Sequence, residues 1–262
     1  MEINKAFFRY ILPKAYNTSI LSTSLLIYTL KKSHHDTGVF MLGLAIGLFI
    51  QALLTGFHAS LADALVRYQS EMHFIVSSGL FICSTVLGFG MVKHQEKQKQ
   101  SSMMTHLATM LTPFLFILNQ GIDINLYLIR NTRLTWHAAI FTILTSGFVC
   151  ILFSAVFFAV ACYFPHWIQQ CVYSIVVYFT GAIALANMCG YIELIQHPVH
   201  MKGLVYTLRQ SQKTSLGNIR RLFNAALGIK DTEATNWVGT GYSLYWFSVS
   251  FGLIYKRLNH ER

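Results

Sequence analysis

Charge is scarce in this sequence, and acidic charge is scarcest. Only 11% of the 262 residues are charged, with ten Asp or Glu against twenty Lys or Arg. Soluble domains carry about 25% charged residues. With 54% hydrophobic residues and a mean hydropathy of +0.47, the deficit excludes an ordinary soluble domain and places the chain in a lipid bilayer. Motifs for catalysis are missing too. There is no GxxxxGK[ST] phosphate loop, no GxGxxG, no GxSxG and no triad, so no enzyme is expected. The eleven histidines form neither HxxxH nor HExxH. Cys83, Cys150, Cys162, Cys171 and Cys189 show no CxxC or zinc-type spacing. All five fall in or beside apolar runs and read as small buried hydrophobes. No cleavable leader is expected, because the first apolar run carries Lys14 and many hydroxyls and no A-x-A site follows.

What the chain does have is apolar length. A span needs about 20 apolar residues, and runs at 38–57, 73–92, 105–129, 138–164, 171–195 and 237–255 meet or approach that. A seventh, 6–30, reaches spanning length only by including Arg9, Pro13 and Lys14, and it holds Thr18, Ser19, Ser22, Thr23, Ser24 and Thr29. The expected fold is therefore all-α: one integral membrane domain over 1–262, a polytopic bundle of about seven helices. Its net charge of +10 sits mostly between the apolar runs, where charges set topology and meet lipid headgroups, so no nucleic-acid partner is expected. The side holding the N-terminus has Lys5, Arg9, Lys14, Arg67, Arg130 and Arg133. The other has Lys31, Lys32, Lys93, Lys97, Lys99, Lys256, Arg257 and Arg262, a slight lean toward a C-terminus inside. A charged hinge, KHQEKQKQSS, occupies 93–102. The long loop 196–236 contains GNIRRLFNAALGI (217–229), whose Ile219, Leu222, Phe223, Ala226 and Leu227 oppose Arg220, Arg221 and Asn224. That pattern predicts an interfacial helix.

Only two acids fall within the apolar runs, Asp123 and Glu193. A charge at the bilayer centre costs on the order of 2.5–3.5 kcal/mol even by the gentler scales. Asp123 belongs to NQGIDINLYLIR (119–130), where it shares a helical face with Asn119 while Gln120 lies beside that face and Gly121 permits close backbone approach. Pro113, ten residues upstream, removes a backbone donor and favours a bend. The cluster reads either as a polar lining for an ion or proton, or as interhelical hydrogen bonding that fixes packing. Glu193 and His197 lie one helical turn apart in GYIELIQHPVH, a spacing compatible with a metal and also with a polar helix end stopped by Pro198. His34, His35 and His58 sit at span ends. Gly43 and Gly47 form a GxxxG that supports tight helix packing.

NQGIDINLYL resembles the second R-E-G-L-E motif of the oxidase-dependent iron permeases, seven-span proteins with one such motif in the first span and one in the fourth. In this likeness Asn119 stands for Arg, Gln120 and Asp123 for the two Glu, Gly121 for Gly and Ile122 for Leu. The first-span counterpart is Lys14-Ala15-Tyr16-Asn17-Thr18, where only the basic residue persists, and YIELIQ resembles the family's third element with Glu193 as its acid. The resemblance implies two inverted three-helix repeats plus a seventh helix. It also implies a route lined by Asn119, Gln120, Gly121, Asp123, Lys14, Asn17 and Thr18, with Asp123 and Glu193 as candidate metal ligands, to which the one-turn spacing adds His197. One carboxylate of the family's four remains, with Lys14 as counter-charge, which suits a trivalent ion poorly. The expected function is a transporter of iron or another small cation, with no permanently bound cofactor. The alternative is a permease-like scaffold that docks partners through its long loop. Expected partners are the bilayer, an oxidase or accessory protein by resemblance, and a second copy of the chain. The expected location is multi-pass, in a bacterial inner or plasma membrane.

Overall fold

The computed structural model describes residues 19–57, 60–93, 103–130, 136–196 and 236–260. Among them every regular element is a helix: α1 (19–32), α2 (His34–Gly56), α3 (Ala62–Arg67), α4 (Gln69–Lys93), α5 (Met103–Arg130), α6 (Trp136–Tyr163), α7 (His166–Gln196) and α8 (Asn236–His260). Helices thus occupy all six of the clear apolar runs. Four segments, His34–Gly56, Gln69–Gly90, Met103–Leu126 and Cys171–Ile192, are long and apolar enough to cross a membrane. The short α3 between α2 and α4 has no counterpart in the sequence reading. Lys14, Asn17, Thr18, His197 and the interfacial helix expected at 217–229 lie outside the described residues.

The bundle turns large apolar side chains outward and encloses a set of polar ones beside its hydrophobic clusters. Leu42, Phe49, Ile75, Ile82, Phe148, Ile151, Val156, Ile175, Phe247 and Phe251 face outward, several more than 60% exposed. Asn125, His73, Ser24, Ser77, Ser84, Thr109 and Thr112 are fully buried. Water-soluble monomers rarely expose contiguous apolar surface on this scale, whereas a bilayer covers it at no cost. Several buried hydroxyls are met locally: Ser84, Thr109, Thr112 and Thr180 each donate to the carbonyl one turn back in their own helix, while those of Ser24 and Ser77 have no hydrogen-bond partner. The interior can then be made of small residues that let helices approach closely.

The span least clear from the sequence is deeply buried where it is described. In α1, Leu21, Thr23, Ser24, Leu25, Ile27 and Thr29 are all buried, so several sides of the helix meet protein rather than lipid. Leu21 and Leu25 pack with Phe40 of α2, Leu80, Cys83 and Leu87 of α4, Ala108 and Phe116 of α5, and Val177 and Ala184 of α7. A helix enclosed in this way has no need of the uniform hydrophobicity that lipid contact demands, which is why its hydroxyls are tolerated. Of the cysteines, Cys83 is buried as expected, while Cys162 and Cys171 are exposed on the outside of the bundle.

The GxxxG of α2 lies against α5. A Cβ on Gly43 would overlap the Met110 carbonyl, and one on Gly47 would meet Phe114 Cα and Ile117 Cδ1 at 3.2 Å. Backbone contact of this kind needs glycine at the crossing. α5 runs unbroken through Pro113. It packs against α2 on one side and α4 on another, and α7 packs against α4 and α8.

Candidate functional site

The polar segment of α5 is held from two sides. At about 100° per residue, Asn119 and Asp123 share one face of the helix, and Gly121 and Asn125 share the face roughly opposite. Ile122 and Leu126, on a third side, pack with Leu65 of α3 and Val76 of α4.

On the first face, His73 from the first turns of α4 lies between the two α5 residues. Its Nδ1 is 3.1 Å from Asn119 Oδ1 and its Nε2 is 3.1 Å from Asp123 Oδ1. The ring is completely buried and stacks on Tyr191 of α7, with centroids 5.1 Å apart and planes within 3°. With both partner atoms being oxygens, an imidazolium donates from each nitrogen. If the Asn119 amide turns over, Nδ2 donates to Nδ1 and the same pocket suits the neutral ring. Either orientation of the Asn119 amide therefore leaves Nδ1 with a partner, and Nε2 stays within 3.1 Å of Asp123 Oδ1.

On the second face, Gln51 of α2 lies over Gly121, where a Cβ would collide with its amide. Gln51 Nε2 donates to Thr55 Oγ1 at 3.1 Å and to the Gly121 carbonyl at 3.4 Å, and Thr55 Oγ1 donates to Asn125 Oδ1 at 3.0 Å. Gln51 Oε1 and Asn125 Nδ2 are buried without hydrogen-bond partners.

These groups all sit at one end of the bundle, where α2, α5 and α7 finish and α4 begins. Glu193 lies in α7 two residues beyond Tyr191, so its backbone belongs to the same end, and its side chain is outside the described residues. Gln120 is half-buried in α5. Of the residues that sequence reasoning singled out, Asn119, Gly121 and Asp123 are therefore brought into one polar layer. Their partners His73, Gln51, Thr55 and Tyr191 were not singled out. His73 opens the apolar run 73–92, and an imidazole at the start of such a run is the signal that could have found it.

The opposite end has its own polar layer. Lys31, at the end of α1, hydrogen-bonds Gln169 of α7, whose Nε2 in turn donates at 2.7 Å to the carbonyls of Ala161 and Phe164 at the end of α6. Ser33 caps α2 by accepting from the Asp36 backbone N–H at 3.0 Å, and the Asp36 carboxylate approaches His106 of α5 at 2.7 Å. His106 and Asp123 are separated by about 26 Å along α5 at 1.5 Å per residue. That nearly matches the roughly 30 Å hydrocarbon core of a bilayer.

All-helical architecture among the described residues, four helices of spanning length and the large apolar side chains on the outside define the class: an α-helical membrane protein. Comparison with protein-family models, with curated proteins and with solved structures gave no match.

Proposed function

We propose that the protein is a seven-span transporter that moves a small cation across its membrane, with His73, Asn119 and Asp123 as the intramembrane site. The observation that carries this reading is the buried His73–Asp123 pair. It joins the half of the chain ending with α4 to the half beginning with α5, and it is sealed inside the bundle at a nitrogen–oxygen distance of 3.1 Å. Ionisable residues within membrane helices are expensive and mark ion and proton routes. At the far end Asp36 faces His106 and Lys31 bonds Gln169, again between the two halves. Polar contacts across the halves at both ends suit transport by rocking one half against the other, each end opening in turn.

The resemblance to iron permeases makes iron the first cargo to try. One carboxylate, one imidazole and an amide oxygen suit ferrous iron or another first-row divalent ion better than ferric iron. A bacterial inner membrane or a plasma membrane fits a compact multi-pass chain of this kind. The test is flux in proteoliposomes, with protons and ferrous, ferric, manganous and zinc ions offered in turn to wild type and Asp123→Asn. Flux of one of these that disappears in the variant supports the proposal. No flux of any, from protein shown to be folded, sinks it.

A second reading is favoured by the fact that His73 is engaged at both nitrogens by protein oxygens. The layer would then be packing polarity in a permease-like scaffold, and Asp123→Asn would lower stability with no transport to lose.

A further inference from the structure

The polar layer at the α1–α2 turn contains a group that capping leaves unexplained. In Ser33-His34-His35-Asp36 the serine caps α2, while its own backbone N–H donates to the Thr29 carbonyl, so the aspartate at the third helical position does not close a capping box. The serine hydroxyl engages one carboxylate oxygen. Asp36 Oδ2 accepts from Ser33 Oγ at 3.0 Å and pairs with Lys32 Nζ at 3.2 Å. The other oxygen, Oδ1, is turned toward His106 Nδ1 at 2.7 Å, but the two are not aligned for a hydrogen bond, and each is buried without a hydrogen-bond partner. Asp36 is only 2% exposed. A carboxylate oxygen this deeply buried, close to an imidazole nitrogen that does not donate to it, lacks the third atom that would satisfy both.

His35 completes the set. Its ring packs edge-on to that of His106 with centroids 5.2 Å apart. One ligand atom from each of His35, Asp36 and His106 lies within 4.8 Å of the others. In a tetrahedral centre with bonds of about 2.0–2.1 Å, ligand atoms are roughly 3.3 Å apart. The existing spread brackets that value and closes by rotation of the exposed His35 side chain.

We infer that His35, Asp36 and His106 form a binding site for a first-row divalent cation at the membrane surface. Two imidazoles and one carboxylate are the donor set of zinc, ferrous iron, cobalt and manganese sites, and three protein ligands leave coordination positions open toward solvent on the His35 side. The turn that carries Asp36 is preset by the Ser33 cap, and His106 is delivered by α5, so the site ties the two halves of the bundle together at this end. Lys32 opposes the ion: its ammonium shares the ligand carboxylate, which makes the site one of modest affinity. Lys31 points its ammonium to Gln169 instead. The inference does not rest on transport, because it is read as equilibrium binding in detergent.

The experiment is a Co²⁺ titration of full-length protein, purified without a histidine tag, followed by visible absorption, with Zn²⁺ equilibrium dialysis beside it. Wild type is expected to take up a cobalt equivalent whose affinity falls at least about tenfold in His35→Ala and in His106→Ala. Lys32→Gln, at a position that supplies no ligand, is expected to tighten binding several-fold by removing the opposing charge. If His106→Ala does not fold, His106→Gln and the Lys32→Gln shift carry the test. Absence of cobalt uptake by wild type at millimolar metal overturns the inference. So do titrations of the histidine variants that superimpose on wild type, or a Lys32→Gln affinity that does not rise.

Discussion

Replacing His73 by alanine takes away a fully buried ring that bonds Asn119 and Asp123 and stacks on Tyr191. If the Asp123 carboxylate stays ionised, stranding it in the interior costs about 3–5 kcal/mol. If it takes up a proton instead, the loss falls to that of unsatisfied buried polar groups, about 1–3 kcal/mol for each. A void where the ring stood adds to either figure. The expected destabilisation is therefore about 3 kcal/mol or more. That single number does not isolate the pair, so the informative quantity is the coupling between His73→Ala and Asp123→Asn. Side-chain hydrogen bonds in membrane bundles couple by about 0.6 kcal/mol on average and by about 1.7 kcal/mol at most. An ionisable pair bonded at 3.1 Å and sealed from solvent belongs at the upper end, about 1.5 kcal/mol. The assay is SDS-driven unfolding of the four proteins in mixed micelles, followed by far-UV circular dichroism and tryptophan fluorescence. If the two single effects add within about 0.5 kcal/mol, the residues do not interact. The site built on them would then be abandoned.

Gly43→Ala is expected to destabilise by about 1–3 kcal/mol in the same assay, because its methyl would overlap the Met110 carbonyl and force α2 away from α5. The exposed Gly38, whose Cβ would meet nothing within 4 Å, serves as the control: Gly38→Ala should be neutral or slightly stabilising. Thiol labelling in detergent followed by mass spectrometry should modify Cys162 and Cys171 well before Cys83, and the reverse order would contradict the packing of α4. Single cysteines placed at the exposed Ser33 and Tyr68 should react with a membrane-impermeant maleimide from opposite sides of sealed vesicles. Labelling from the same side would refute the assignment of the two polar layers to opposite ends.

Composition and apolar run length were enough to establish a helical membrane protein, because spanning length and backbone satisfaction in lipid leave few alternatives. The same reasoning marked Asn119, Gly121 and Asp123, since helical periodicity tells which residues of one helix share a face. Periodicity says nothing about which other helix meets that face. His73, Gln51 and Tyr191 are far from α5 in sequence and became its partners only through packing. The order of burial was likewise a tertiary decision. Shortness and hydroxyl content made the first span the least clear, yet α1 is buried on several sides, because a helix enclosed by protein is judged by how closely its neighbours fit and not by its solubility in lipid. Asp36 was decided by packing in the same way: its second carboxylate oxygen acquired its meaning only when α5 carried His106 alongside it.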